Sequence, residues 1–158
     1  KVPGGVNDIL ADLLELENIK PFDDPEIPEI GRIGNLKRPM DESEFAQFVK
    51  IKLNADNITY TRLPDGRKIK KVAVLGGSAS DAISSASIAG ADAIVGGEFK
   101  HHTYGYAMVE GVGRGIALIE AGHYHTEFPV CRRLRELVLE AVPEAQVDIL
   151  PCNNTFVI

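Results

Sequence analysis

Apolar residues recur at helical spacing in two segments of the first third of the chain. The second of these segments follows Asp41, and Glu44 three residues later completes a pattern typical of a capping box. The two apolar stripes predict two amphipathic helices. The first stripe consists of Val6, Ile9, Leu10, Leu13 and Leu14. The second consists of Phe45, Phe48, Val49 and Leu53. Residues 20–39 between them are rich in Pro, Asp, Glu and Gly, which favours a long irregular connection.

From residue 57 onward, short apolar runs alternate with helical patterns. Strands are predicted at residues 58–61, 72–75, 93–95, 115–119 and 147–150, a turn at 64–66, and helices at 80–89, 104–109 and 128–142. The last helix is expected to turn its apolar stripe inward, with Val130, Leu134, Leu137, Val138 and Ala141. This alternation predicts an α/β fold with a largely parallel sheet and flanking helices. We therefore divide the chain into a helical arm and connection, residues 1–56, and an α/β domain, residues 57–158.

Composition excludes several classes of function. The 158 residues are 44% hydrophobic and 25% charged, with a net charge of −6, which argues against non-specific binding to nucleic acid or to an anionic membrane. No apolar run approaches the length of a membrane span. Cys131 and Cys152 show no metal-binding or redox spacing, so two free thiols in a reducing cytoplasm are expected. The chain begins at Lys1 without an initiator Met and reads like the interior of a longer protein.

A glycine-rich loop follows the predicted strand at residues 72–75. Gly76 and Gly77 permit a tight turn, and the amides up to Ser78 and Ser80 could hold an anion such as phosphate. The loop lacks the Lys of a Walker loop and does not match G-x-G-x-x-G. A plain strand-to-helix turn with a serine N-cap explains it equally well.

A second polar loop follows the strand at residues 93–95. Glu98, Lys100, His101 and His102 could supply general acid or base groups. Adjacent histidines point in different directions on regular structure, so we expect at most one of them to face a given site. The alternative is a solvated charged loop.

A third loop, Gly122 to Glu127, leads from an apolar strand into the last helix. His123, His125 and Glu127 offer imidazole nitrogen and carboxylate oxygen, a donor set that suits Zn²⁺, Mn²⁺ or Fe²⁺. The alternative is a polar loop whose histidines bind backbone and water. All three loops leave the carboxyl ends of successive predicted strands, where open α/β sheets place their ligands. The sequence therefore predicts one site at that edge.

Short stretches in these loops, together with two nearer the amino end, resemble a known family. The sequence looks like the Nif-three-like family of dinuclear-metal proteins, often called GTP cyclohydrolase 1 type 2 homologues. The matching stretches run in family order over essentially the whole chain: Gly4 to Asp8, Gly31 to Gly34, Gly76 to Ser80, Gly96 to His102, and Ala121 to Tyr124 with Thr126 and Glu127.

The resemblance implies a site for two divalent ions (Zn, Mn or Fe), to which this chain contributes His123 and Glu127 as ligands. It also suggests Lys100 and His102 as catalytic residues that line the pocket. The substrate-binding residues would be Gly76, Gly77, Ser78 and Ser80. The remaining family ligands, a His-His pair and an Asp upstream of the Gly4 stretch, are absent from this sequence. On this basis we expect weak metal binding and no catalysis by the chain itself.

The resemblance also implies an architecture of two α/β halves, the first of which is missing here, and assembly into ring-shaped homo-hexamers. The reaction that it suggests is hydrolytic opening of a purine nucleotide ring, with a small-molecule substrate and neither nucleic acid nor membrane as partner. The alternative is a non-catalytic metal-binding protein that regulates or scaffolds within a ring-shaped oligomer. A coordination position left open to water would distinguish a catalytic metal site from a structural one.

Overall fold

One mixed sheet with helices on both faces organises the molecule. The computed structural model describes residues 2–63, 65–109 and 115–151, and only the backbone of residues 106–109. Its elements are α1 Val6–Leu13, β1 Glu17–Phe22, β2 Gly31–Met40, α2 Glu42–Leu53, β3 Thr59–Tyr60, β4 Ile69–Ser78, a 3₁₀ turn Ser80–Ala82, α3 Ile83–Ile88, β5 Ala93–Glu98, α4 His101–Val109, β6 Ala117–Glu120, α5 His123–Glu127 and α6 Val130–Ala141.

The strands are arranged in the order β1-β2-β4-β5-β6-β3. Pairing is parallel between β4 and β5 and between β5 and β6, and it is antiparallel for β1 with β2, β2 with β4, and β3 with β6. The α/β class is confirmed, but the expectation of a largely parallel sheet is wrong. Among the described strands, only the three joined by helical crossovers are parallel, and strands from the first 60 residues complete the sheet by antiparallel pairing.

The three parallel strands are buried on both faces, as their continuous apolar runs predicted. Successive residues along each strand enter opposite cores, because side chains alternate across a sheet. One core, beneath α1 and α2, contains Val72, Val74, Val95 and Ile119. The other core, beneath α3, contains Ala73, Ile94 and Leu118.

The first two predicted helices are present as α1 and α2. Asp41 caps α2 by accepting a hydrogen bond from the Glu44 amide at 2.8 Å, so the capping-box prediction is confirmed at its N-cap. Phe45, Val49 and Leu53 of the predicted stripe are buried. The helix ends at Asn54, which adopts a left-handed conformation and returns its amide to the last turn.

The predicted irregular connection at residues 20–39 is wrong, because β1 and β2 occupy most of it. The two prolines that fall within these strands lie where a sheet tolerates proline. Pro21 is in the edge strand β1, and Pro39 lies within the register shift of β2 between Asn35 and Met40. Residues 1–56 are therefore not only a helical arm and connection, since they contribute two strands to the common sheet. The boundary at residue 57 stays a prediction.

Smaller differences concern the other predicted elements. The helix expected at residues 80–89 is divided into the 3₁₀ turn and α3, and the strand expected at 58–61 is reduced to β3. Cys131 is a free thiol, whereas Cys152 and Pro64 lie outside the described residues. None of the helices in the described ranges combines the length and apolar character that crossing a bilayer requires.

The carboxyl-terminal segment departs most from expectation. Helix α6 forms, but its apolar stripe is not inward: Leu134 is 52% exposed, Leu137 43% and Val138 44%. The strand expected at residues 147–150 is absent, and that stretch has no regular secondary structure. Within the described residues, this face of α6 is only about half covered. Amphipathicity identified the helix correctly but could not say whether a partner surface lies in the same chain.

The contrast between the core and α6 gives a stability prediction. Leu118→Ala should lower the free energy of unfolding by about 2–5 kcal/mol, because Leu118 is fully buried and its removal leaves a cavity. Leu137→Ala makes the same chemical change on α6 and should cost less than about 1 kcal/mol. Urea denaturation followed by circular dichroism measures both. Equal costs would show that α6 is packed against something in solution.

Candidate functional site

The three polar loops leave the same edge of the sheet. Strands β4, β5 and β6 run parallel and end at Ser78, Glu98 and Glu120 respectively. Ser78 and Glu98 are register partners at the ends of their strands. The carboxyl edge of the parallel trio therefore brings the loops together, because parallel strands end on one side.

Helix α5 holds the two predicted metal ligands together. His123 and Glu127 are one helical turn apart, so their side chains lie on the same face. The His123 Nδ1 and Glu127 Oε2 atoms are 2.9 Å apart. The side chains are 49% and 50% exposed, respectively, so they can meet a ligand from solvent. His123 and Glu127 thus form a pre-assembled pair at the surface.

Two glycines allow α5 to lie directly on the strand ends. A Cβ on Gly97 would lie 2.8 Å from the Gly77 carbonyl oxygen and 3.0 Å from the His123 Cα. Gly77 has a φ of +76°, and a Cβ there would meet the Glu127 carboxylate at 3.2 Å. Thr126 anchors the helix from beneath, since its hydroxyl oxygen accepts a hydrogen bond from the Gly77 amide at 3.3 Å. Close backbone approach therefore places the His123–Glu127 pair.

Glu98 faces the same histidine from β5. Its Oε2 atom is 3.3 Å from His123 Nε2, and the Glu98 side chain is 55% exposed.

Glu120, at the end of β6, accepts two hydrogen bonds from the segment that follows Glu98. The neighbouring Phe99 amide donates to Glu120 at 2.8 Å. Tyr104 donates its hydroxyl to the same Glu120 oxygen at 2.9 Å. Burial, together with this contact, raises the pKa of the Tyr104 phenol above its ordinary value, so it remains a donor.

The glycine-rich loop uses its first amides within the protein. The Gly76 amide donates to Asn7 Oδ1 at 2.9 Å, and the Gly77 amide donates to Thr126. The Ser80 hydroxyl oxygen accepts from the Lys100 amide at 2.7 Å. Gly76 and Gly77 thus have a visible role in packing and anchoring. Ser78 is exposed, whereas Ser80 is buried. Substrate binding by Gly76, Gly77, Ser78 and Ser80 stays a prediction.

The other predicted residues occupy the same edge but are not joined to the pair. Lys100 is exposed, with Nζ 3.5 Å from Asp81 Oδ1, and His102 is exposed in the first turn of α4. His125 points away from His123, since its Nε2 atom lies 3.5 Å from Asp56 Oδ2 and its side chain is only 13% exposed. The structure therefore brings together His123, Glu127 and Glu98. The catalytic roles of Lys100 and His102 stay predictions.

The donors fit part of a metal site. An imidazole and carboxylates match the ligands preferred by Zn²⁺, Mn²⁺ and Fe²⁺. In residues 2–63, 65–109 and 115–151, however, no group of three or more His, Cys, Asp or Glu side chains is arranged to hold an ion. Glu98 and Glu127 lie on opposite ring nitrogens of His123 and do not converge on one point. A complete site would need ligands beyond those in the described residues.

Residues 1–155 match the family model described as Duf34/NIF3 (NGG1p interacting factor 3). The chain belongs to this family. The resemblance in the loop motifs is thereby confirmed, and the match extends over both the amino-terminal strands and the polar edge of the sheet.

Comparisons with single Duf34/NIF3 relatives agree. A protein of Nostoc sp. named GTP cyclohydrolase 1 type 2 homolog is 33% identical over 142 residues, which are 86% of this chain and 51% of that one. The solved structure of ybgI, a protein of unknown function, has a TM-score of 0.79 at 26% identity, over 96% of this chain and 57% of that one. A hypothetical protein of Staphylococcus aureus shares the fold at 21% identity, with a TM-score of 0.78 over 99% of this chain and 65% of that one. The chain thus spans about half to two thirds of these relatives.

Sequence reasoning underrated several residues of this Duf34/NIF3 site. The sequence suggests Glu98 as one of several general acid or base groups in its loop, but it does not predict the contact with His123. Gly97 and Thr126 stood inside the quoted motifs without an assigned role. Asn7, 69 residues before Gly76, carried no local signal for its contact with that loop. Only the fold reveals such long-range support.

Substitution of Gly97 tests the close approach. Gly97→Ala should lower the free energy of unfolding by about 1–3 kcal/mol, because the added methyl overlaps backbone atoms that cannot move cheaply. It should also shift the backbone amide resonances of α5. Gly105→Ala is the matched control, since a Cβ there meets nothing within 4 Å and alanine favours a helix. If both variants behaved alike, packing at Gly97 would not position α5.

Proposed function

We propose that this chain contributes half of a divalent-metal site in a dinuclear-metal, hydrolase-type protein of the Duf34/NIF3 family. The observation that supports this most strongly is the His123–Glu127 pair, held 2.9 Å apart at the carboxyl edge of the parallel strands. Both residues match the ligand positions that the resemblance implies. The other ligands would come from residues outside those described, since the donors present are too few.

The chain's own residues suit the binding of a cation and a polar substrate. Asp81, Glu98, Glu120 and Glu127 make the edge acidic, which raises the local concentration of cations. When bound, a metal pair supplies an activated water and Lewis-acid polarisation of the substrate. Lys100 and His102 follow β5, with Lys100 in the loop and His102 in the first turn of α4, where they could contact an anionic substrate or hold a proton. We propose that the substrate is a small molecule, with nucleotides as one candidate class.

A second candidate function is a non-catalytic metal-binding scaffold within a ring-shaped homo-oligomer. The observation that favours it is the exposed apolar face of α6, formed by Leu134, Leu137 and Val138. Exposed apolar patches often mark surfaces for protein association. A structural role for the metal would require a coordination sphere closed by protein ligands, whereas catalysis requires a position open to water.

Metal affinity is the first test of the proposal. The chain should bind Zn²⁺ or Mn²⁺ weakly, because two ligands leave most coordination positions to water. His123→Ala should abolish the binding measured by isothermal titration calorimetry, and His101→Ala is the control at an exposed histidine of the same edge. Tight stoichiometric binding would reveal ligands that the proposal has not identified. Binding unaffected by His123→Ala would place the site elsewhere.

Catalysis by the chain itself is the second test. We expect no opening of the GTP ring in the presence of Zn²⁺, Mn²⁺ or Fe²⁺, because two-metal chemistry needs both ions clamped together and the described residues supply part of one site. Product formation is followed by absorbance and mass spectrometry. Metal-dependent turnover that disappears in Glu127→Gln would contradict the expectation and show that the chain completes its own site.

A further inference from the structure

Helix α6 presents a continuous apolar face to its surroundings. The apolar positions 130, 134, 137, 138 and 141 are three or four residues apart, so they lie on one side of the helix. Leu134, Leu137 and Val138 in the middle of this face are each about half exposed. An apolar stripe of this length on one helix is the form of surface that a second amphipathic helix can cover.

The two borders of the apolar face differ. On one border, Arg135 donates from Nε to the Val147 carbonyl oxygen at 3.0 Å, which ties the segment after α6 along that side. The other border carries Arg133, which lies beside Leu134 and on the opposite side from Arg135, because successive residues turn by about 100°. This second border is therefore the one on which charged side chains flank the face directly.

This second border changes sign along the helix. Arg133 and Glu140 are two turns apart and lie on the same side, with Glu136 between them. The Arg133 Nη1 atom is 3.1 Å from Glu136 Oε2 and 3.1 Å from Glu140 Oε1, and all three side chains reach solvent. The border is thus basic toward the amino end of α6 and acidic toward its carboxyl end.

A second copy of α6 in antiparallel orientation matches this order of charges. When two identical helices pack antiparallel, the same border of each faces the other with its direction reversed. Arg133 then meets Glu140 of the second copy, and Glu140 meets the second Arg133, so the contact is self-complementary and closes after two copies. A parallel arrangement would instead place Arg133 opposite the apolar Val138 of the second copy.

The size of this face sets the strength of the contact. Helix α6 has 12 residues and is therefore about 18 Å long. One face of such a helix offers less than the ~800 Å² per partner that a standard interface buries. Charge pairs at the rim add more to orientation than to affinity. Pairing through α6 should therefore be weak, reversible and dependent on protein concentration.

We propose that the apolar face of α6 is a docking surface for a second copy of this chain. The two α6 helices lie antiparallel, with Leu134, Leu137 and Val138 in the shared seam and Arg133 paired with Glu140 of the other copy. The surface lies outside the candidate metal site, so this inference does not depend on metal binding, and its failure leaves the proposed metal site standing.

The first experiment tests the seam. Sedimentation equilibrium of the chain over a wide concentration range should show a monomer–dimer equilibrium. Leu137→Glu should abolish the dimer, because it places two carboxylates in the apolar contact. Ile51→Glu is the matched control, since Ile51 is a largely exposed apolar residue of another helix, α2, and it should leave the dimer intact. Circular dichroism shows that both variants are folded.

The second experiment tests the orientation by exchanging charges. Arg133→Glu makes the border wholly acidic, and Glu140→Arg makes it mainly basic. Each variant alone should dimerise about tenfold more weakly than the parent, because symmetry repeats the like-charge contact twice. A mixture of the two variants should form heterodimers about as tightly as the parent forms homodimers. The double variant Arg133→Glu/Glu140→Arg should regain the parent affinity.

Each outcome decides for or against the inference. Recovery in both the mixture and the double variant supports the antiparallel pair, because an ion pair within one helix gives no recovery between two chains. A monomer at every concentration overturns the inference and leaves the face to a different occupant. Dimerisation that survives Leu137→Glu places the contact elsewhere. Loss in Leu137→Glu without recovery in the mixture refutes the antiparallel arrangement.

Discussion

The close approach of α5 to the ends of β4 and β5 is the constraint on which the candidate site depends. It requires glycine at positions 77 and 97, because a Cβ at either would meet His123, Glu127 or the neighbouring backbone. It also requires Thr126, whose hydroxyl satisfies the Gly77 amide beneath the helix. Five residues make too short a helix to be stable alone, so α5 owes its existence to this packing.

The amino-terminal segment supports the same edge from below. Asn7 accepts from the Gly76 amide and donates to the Ile30 carbonyl, so one side chain ties α1 to β4 and to the start of β2. Next to it, Asp8 pairs with Arg32, whose side chain is only 10% exposed. Breaking such a pair would leave a buried guanidinium without its partner, which is costly. In this structure, the motifs at residues 4–8 and 31–34 therefore have a structural role, because their side chains hold α1 against the sheet.

The site and the surface of α6 share one property: each is incomplete within the described residues. The donors of the site fall short of a closed coordination sphere, and the apolar stripe of α6 meets solvent. The chain matches about half the length of a curated Duf34/NIF3 relative from Nostoc.

The sequence by itself determined the α/β class, the helices α1, α2 and α6, the strands β4, β5 and β6, and the common edge for the polar loops. These follow from local periodicity and from the rule that parallel strands end together. Only the tertiary structure decided that β1 and β2 join the sheet despite Pro21 and Pro39, because tolerance of proline depends on strand position and register. It also decided that α6 faces outward and that Glu98 meets His123. Those outcomes depend on which surfaces come together across the fold, and no local pattern in the chain encodes them.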